Sequence, residues 1–286
     1  MKQKIFTSVL AAAAISLSAP AMASTITNLD LAGASPFSGF DWSSNGTAIS
    51  APVSGTLAVG DTFTTYYFAD AVSILKQGGG SFVTPGLISS APGNGGFAAG
   101  AYEYTIVAQI EETVTSVFNL GGGKTLATFS ATGNGSWDIY YDNAGLGNSI
   151  ANQIAGTGFT DGVRILGGTV NPGDIGNFTV DAGGTGGNGQ FDFNGLVNYT
   201  NTAYITPEQL STVAFGTLQF GNRITDWTAA TGTPWGSLPG NPLQFQADGN
   251  QNFAPRQVPE PGVLALLGLG MFGLFATTRR KNNQAA

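Results

Sequence analysis

The chain has 286 residues, of which 9% are charged, 43 are glycine and none is cysteine or histidine, and its formal net charge is −7. The missing residue types exclude a disulfide framework, catalytic Ser-His-Asp and Cys-His arrangements, and zinc sites built on histidine or cysteine. The acidic balance disfavours nucleic acid as a partner, because phosphate groups repel a negatively charged body. We therefore expect neither a cofactor nor a metal ion.

The N-terminus has the three parts of a secretory signal peptide. Lys2 and Lys4 precede an apolar stretch over residues 5–19, and a small-residue sequence, Ala-Met-Ala, ends at Ala23. The apolar stretch is shorter than the roughly 20 residues that span a bilayer, so a membrane anchor is the weaker interpretation. We predict that residues 1–23 are a signal peptide, cleaved between Ala23 and Ser24.

The body, residues 24–226, has the sequence pattern of a β protein. Between residues 24 and 258, sixteen acidic residues outnumber five basic ones. Over residues 102–110, aromatic and aliphatic side chains recur at every second position, which is the period of a strand with one more deeply buried face. Similar patterns predict strands at Thr62–Phe68, Val114–Leu120, Thr125–Ser130, Ser136–Tyr141, Val163–Val170, Asn177–Asp181, Leu196–Ile205 and Val213–Phe220.

Glycine-rich segments separate most of these strands. Loops are predicted at residues 78–80, 93–96 and 183–189, and a helical turn only at Thr206–Leu210. Gly121–Thr125 looks like the end of a phosphate-binding loop, but the strands on both sides predict a hairpin turn. Short strands at this spacing indicate an all-β sandwich or jelly roll. An irregular linker is predicted to follow over residues 227–257.

Carboxylates are the remaining acid–base groups, so we tested their spacing for a glycosidase site. Glu103 and Glu111 would share one face of a strand, but about 26 Å would separate them at about 3.3 Å per residue. Asp138 and Asp142 would be about 13 Å apart, which is beyond the range of paired catalytic acids. We therefore predict that the protein is not an enzyme.

The four tryptophans have two interpretations, as core residues or as rings that stack on sugars. Trp137 alternates in phase with Ile139, which favours the core. Trp227 and Trp235 lie in polar sequence rich in proline and glycine. These two are the candidate glycan contacts.

The C-terminus has three parts in order, over residues 258–281. Pro259-Glu260-Pro261 comes first, an uncharged stretch over residues 262–278 follows, and Arg279-Arg280-Lys281 ends it. As a helix the uncharged stretch would be about 26 Å long, near the lower limit for crossing a bilayer. The basic residues would stay cytoplasmic, which leaves the body outside the inner membrane.

These three parts resemble the PEP-CTERM sorting domain of Gram-negative bacteria that produce exopolysaccharide. The resemblance implies processing by an exosortase, a membrane-embedded transpeptidase, with Pro259, Glu260 and Pro261 as its recognition site. It also implies a transient anchor in the inner membrane, followed by release to the cell surface or the extracellular matrix.

Three body segments, Phe40–Ala48, Trp137–Asp142 and Gly176–Val180, resemble the flocculation-associated PEP-CTERM proteins. The resemblance implies a non-enzymatic protein that acts with exopolysaccharide to hold cells together in flocs or biofilm. Two alternatives stay open at this stage: a carbohydrate-binding module, and a secreted glycosidase that uses carboxylates. An aromatic platform on one face would favour the first, and two acids within about 5–10 Å in a cleft would favour the second.

Overall fold

A computed structural model describes residues 25–26, 37–52, 57–76, 81–82, 102–143, 150–182, 186–206, 210–220, 230–240 and 242–255. They belong to one compact unit, Ala23–Pro255. Outside the described residues lie the predicted signal peptide with its cleavage position, Trp227, and the predicted sorting signal with its helix and basic end. Within the described ranges, no helix is both long enough and apolar enough to cross a membrane.

Twelve strands and one short helix make up the described fold. In chain order the strands are β1 (Thr25–Ile26), β2 (Phe37–Ala51), β3 (Thr62–Lys76), β4 (Ser81–Phe82), β5 (Glu103–Gly121), β6 (Lys124–Asp142), β7 (Val163–Val170), β8 (Ile175–Val180), β9 (Gly187–Thr200), β10 (Ile205–Thr206), β11 (Leu210–Phe220) and β12 (Leu243–Pro255). The helix, α1, spans Ile150–Ala155 between β6 and β7. The all-β prediction is therefore confirmed.

The main sheet closes on itself through antiparallel pairs. Its neighbours run in the order β11-β12-β2-β3-β5-β6-β7-β9, and β9 pairs back onto β11. β7 and β8 both lie between β6 and β9 in the strand order, because each pairs with a different half of β6 and of β9. β1 and β10 pair only with each other, and the other ten described strands form one closed sheet with an inner and an outer face, not the two packed sheets of the predicted sandwich or jelly roll.

Two strands are longer than the sequence pattern predicted. β5 unites the strands predicted over residues 102–110 and 114–120, and β6 unites those predicted over residues 125–130 and 136–141. The predicted hairpin turn joins them, with positive φ angles of 79°, 58° and 79° at Gly121, Gly122 and Gly123. That prediction is confirmed, as is the strand at Val163–Val170.

Other segments need correction. Leu243–Pro255, within the predicted linker, form β12, which pairs with β11 on one side and β2 on the other. In the predicted loop over residues 183–189, strand β9 already begins at Gly187. The helical turn predicted at Thr206–Leu210 is wrong at both ends, because Thr206 ends β10 and Leu210 begins β11.

Glycines on one strand make room for aromatic rings on the next. Trp137 is the register partner of Gly168, and a Cβ atom there would lie 2.6 Å from the indole Cζ2 atom. Phe178 is likewise the partner of Gly189, where a Cβ atom would lie 2.7 Å from its Cδ2 atom. A ring that covers a glycine offsets the packing that glycine lacks in a strand. The glycine content is therefore part of the packing of the inner face.

The inner face holds the main core, which is rich in aromatic rings. The ring centroid of Phe40 lies 5.1 Å from that of Trp42 and 5.2 Å from that of Tyr104. Trp137 and Phe253 meet across the interior at 5.9 Å. Rings at these separations add about 0.5–1.5 kcal/mol per pair to the gain from burial. The chain has no cysteine and therefore no disulfides, and the packing of aromatic rings stabilises the core instead.

A second, smaller core lies on the outer face. Phe159, which follows α1, packs its ring 4.8 Å from that of Phe68, and Val107 of β5 joins the same cluster. The hydroxyl of Thr105 donates to the carbonyl of Phe159 at 2.8 Å. Both faces of the first half of β5 are therefore buried.

We expect Gly168→Ala to destabilise the fold by about 1–3 kcal/mol, because the new methyl group must displace the Trp137 indole or the neighbouring strand. The measurement is the urea midpoint of the full chain, followed by far-UV circular dichroism. Gly173→Ala is the matched control: its Cβ meets nothing within 4 Å, so only the positive φ of 89° costs stability. Unchanged stability of Gly168→Ala would contradict the packing argument.

Candidate functional site

A cavity opens inside the closed sheet, on the inner face. Its volume is about 50 Å³. The residues that line it include aromatic rings and one acid: Trp42, Tyr67, Glu112, Phe129, Trp137 and Phe193. These side chains come from five strands, β2, β3, β5, β6 and β9. The closure of the sheet is therefore what brings them together.

The alternation along β5 explains how an acid reaches the interior. Ile106, Ala108, Ile110 and Glu112 occupy every second position of β5, and all four line the cavity. A strand directs every second side chain to the same face, so Glu112 occupies a position that the pattern reserves for apolar residues. The Glu112 residue is only 1% exposed to solvent.

Burial controls the charge of Glu112. Removal of the carboxyl group from water raises its pKa to about 8, although the hydroxyl of Thr65 donates a hydrogen bond to Oε2 at 2.5 Å and opposes that shift. The Thr65 hydroxyl also lies 3.2 Å from that of Ser50. At neutral pH the carboxyl group is therefore mostly protonated and uncharged.

The neighbouring acid, Glu111, points the other way and has the opposite behaviour. Hydrogen bonds from the Asn134 amide at 3.0 Å and the Thr132 hydroxyl at 2.8 Å lower its pKa. Both donors belong to an irregular segment of β6, where the pairing shifts between Ile110 and Glu112. Such a bulge re-aims side chains, and here it supports one glutamate on the surface beside one in the interior.

Five residues that line the cavity each carry a buried polar atom with no hydrogen-bond partner among the described residues. These atoms are the indole Nε1 atoms of Trp42 and Trp137, the hydroxyl of Tyr67, Oε1 of Glu112 and Oε1 of Gln251. A buried polar group without a partner costs about 1–3 kcal/mol. Most buried polar groups in native proteins are paired, so these five atoms depart from the usual pattern.

The carboxylate pairs considered in the sequence do not come together. Glu103 and Glu111 lie eight residues apart on the same strand, β5. Asp138 forms an ion pair with Arg164, whose Nε donates to Oδ1 at 2.8 Å. The structure instead places Glu103 directly opposite Asp142 in the β5–β6 ladder, and both residues are buried. A buried pair is poorly placed to reach a polysaccharide.

The described tryptophans divide between the two faces. Trp137 is 4% exposed and belongs to the inner core, which confirms the sequence interpretation, and Trp42 is 2% exposed beside it. Trp235 is half-buried on the outer face, with its ring centroid 5.1 Å from that of Tyr66. The signal that sequence reasoning missed is the even spacing that places Glu112 in phase with the buried residues of β5.

Residues 257–281 match the PEP-CTERM protein-sorting motif. The chain carries a PEP-CTERM sorting motif. The match begins one residue before the predicted signal and ends at the same residue, Lys281. The motif implies export, processing by an exosortase, and sorting to the cell surface or extracellular space. Comparisons with curated proteins and with solved structures give no match.

The buried carboxyl of Glu112 predicts a pH-dependent stability. Its folded pKa of about 8 lies above the ordinary value of 4.5, so its contribution is fully present below pH 4.5 and is lost as pH rises through 8. We expect the free energy of unfolding of the full chain to fall by about 2 kcal/mol between pH 6.5 and 8.5. Urea denaturation at several pH values measures it.

Glu112→Gln should flatten this pH dependence, because an amide does not titrate. Glu111→Gln, one position away and outside the cavity, should keep the wild-type slope. Burial raises the pKa of Asp70 to about 6, so the titration of Asp70 changes the free energy of unfolding mainly below pH 6.5. A wild-type stability that is constant or rises between pH 6.5 and 8.5 would contradict the assignment.

Proposed function

We propose that the protein is a non-enzymatic component of the cell surface or extracellular matrix that acts with exopolysaccharide in cell aggregation, floc or biofilm formation. The observation that carries the proposal is the sorting motif at residues 257–281 behind an acidic, all-β body. The likeness of three body segments to flocculation-associated proteins supports it. Exosortase acts on the chain, and matrix polysaccharide is its partner after release.

The chemistry of the C-terminus suits a short-lived anchor. Proline lacks the backbone donor of regular structure and favours an extended backbone in the residue before it, so Pro259 and Pro261 would present a processing enzyme with an unpaired strip to bind. The uncharged stretch over residues 262–278 and the basic stop at 279–281 would hold the chain in the inner membrane until that step. Cleavage then frees the body, which starts at Ser24.

The outer surface of the β5–β6 hairpin is suited to sugar contacts. Side-chain hydroxyls and amides line it, including Thr115 and Thr128, whose hydroxyls lie 2.8 Å apart, and Gln109, whose amide lies 3.4 Å from the Ser136 hydroxyl. Hydroxyls and amides both donate and accept hydrogen bonds, as sugar hydroxyls do. Weak contacts of this kind, repeated along a polymer, give adhesion without a catalytic cleft.

A carbohydrate-binding module is the second candidate, and Trp235 is the observation that favours it. Its half-buried ring lies beside Tyr66, and both rings keep part of their surface exposed on the outer face. Aromatic rings at a surface stack on the apolar faces of sugars. The interplanar angle of 59° means that the two rings do not form one flat platform, so this candidate ranks second.

The proposed function predicts the behaviour of cells that carry a Pro259→Ala/Pro261→Ala variant. We expect the wild-type protein to be released with a mass that ends near the motif, and the variant to stay full-length in the membrane fraction. We also expect variant cells to settle more slowly, as a deletion strain would. Intact mass spectrometry of both fractions and a settling assay measure these outcomes.

Pro242→Ala, a proline substitution upstream of the motif, is the control and should leave processing and settling unchanged. Processing that requires the motif together with normal settling of the deletion strain would keep the sorting account and overturn the matrix role. A Trp235→Ala variant that loses polysaccharide binding while its cells settle normally would favour the second candidate.

A further inference from the structure

We infer that two copies of this chain pair edge to edge through the end of β5, residues 116–120, which we call the free edge. The partner at this edge is a second copy of the same protein. The contact is separate from the sorting motif, and it uses the side of the β5–β6 hairpin that faces away from β6. It deepens the proposed role in cell aggregation, and only its purpose in the cell rests on that role.

The free edge exists because β5 is longer than the strand beside it. β5 continues to Gly121, whereas its ladder with β3 ends where Thr62 pairs with Thr113. One position later, the N–H of Val114 donates to the carbonyl of Asp61 at 2.8 Å, in the loop before β3. Beyond that bond, β6 is the only described strand that pairs with β5. The last part of β5 therefore has a strand on one side only, within the described structure.

The backbone of the free edge is regular enough to receive another strand. A bulge interrupts the β5–β6 ladder between Val114 and Ser116, and the register then runs without a shift from Ser116 to Asn119. In such an antiparallel pair, every second residue directs its N–H and C=O groups away from the neighbouring strand. These groups are a template for an added strand. Residues 118–124 are all exposed, so the end of the hairpin is open to solvent.

The side chains of the free edge also favour pairing. Phe118 and Leu120 are 53% and 54% exposed, and two positions along a strand place them on the same face. Natural proteins commonly protect an edge with a charged residue or a proline. Residues 113–123 contain neither. An added strand would cover both apolar side chains and bond the backbone groups of the edge.

A second copy meets these requirements by symmetry. Two identical strands that pair antiparallel are related by a two-fold axis, so each edge satisfies the other and the contact closes as a dimer. The formal net charge of −7 opposes contact between most surfaces of two copies, but the free edge carries no charge. The tip of the hairpin, residues 121–123, consists of three glycines, whose lack of side chains leaves room for the second copy.

This pairing would join two bodies end to end. The tip of the hairpin lies at one end of the closed sheet, and β12 ends at the other, where Pro255 pairs with Leu210. Because the paired edges are antiparallel, the two chains leave the dimer at its opposite ends. A dimer of this form suits a bridge between two surfaces.

The contact is small, so we expect a weak and reversible dimer. Two strands of this length, each with Phe118 and Leu120 as its exposed apolar side chains, bury less than the roughly 1,200 Å² of a stable interface. Many weak contacts between two surfaces act together, because each one raises the effective concentration of the next. Weak pairing of single copies is therefore compatible with firm attachment of cells.

The test is self-association of the full-length protein, kept in a mild detergent and measured by sedimentation velocity at several concentrations. We expect a reversible monomer–dimer equilibrium. Phe118→Lys places like charges opposite each other at the paired edges and should raise the dissociation constant at least tenfold. Ile175→Lys is the matched control and should change it less than twofold. Ile175 is 68% exposed, but its strand, β8, has β6 on one side and β9 on the other.

Engineered cysteines test the same edge by an independent measurement, since the chain has no others. Antiparallel partners share a face, so the two-fold axis brings Phe118 or Leu120 opposite itself, or the two opposite each other. Phe118→Cys, Leu120→Cys or a mixture of these variants should therefore form a covalent dimer under mild oxidation. Ile175→Cys should remain monomeric.

The outcomes separate self-pairing from the proposed function. A wild type that stays monomeric, equal association of the wild type and both lysine variants, or no covalent dimer from the two edge cysteines would overturn the inference. Cells with Phe118→Lys should settle more slowly than cells with Ile175→Lys. Dimerisation of the purified protein together with normal settling of the deletion strain would keep the edge pairing and overturn the matrix role.

Discussion

The fold depends on the closure of a glycine-rich sheet around aromatic rings. The pairing of β9 with β11 completes the ring of strands, so each long strand has neighbours on both sides and, apart from the end of β5, the described part of the sheet has no long open edge. Trp137 over Gly168 shows how the interior is filled, with a large ring above a residue that has no side chain. In a chain without cysteine, this packing and the hydrogen-bond ladder stabilise a body that works outside the cell.

The same closure creates the chemistry of the interior. A sheet with one solvated face would leave Glu112 in water, with an ordinary pKa. Inside a closed sheet the acid loses water, its pKa rises to about 8, and it shares a cavity with two indoles that have no partner in the described structure.

The sequence predicts local features well and long-range pairing poorly. The apolar run at Val163–Val170 is a strand to the residue, and the sorting motif is legible without a structure because its signal is linear. β12 was predicted as a linker because Gly249 and Gln251 occupy inner positions, which hides the alternation from a hydrophobicity pattern. The closed sheet depends on pairs such as Phe193 with Ala214, which no local pattern encodes.

The pairing of β9 with β11 is the central claim, and engineered cysteines test it directly because the chain has no others. Asn194 and Val213 are register partners, so Asn194→Cys/Val213→Cys should form a disulfide under mild oxidation, seen as loss of both thiols by mass spectrometry. Asn194→Cys/Phe215→Cys, shifted by two positions, should stay reduced. A reduced Asn194→Cys/Val213→Cys pair, or a disulfide in both variants, would contradict the closed sheet.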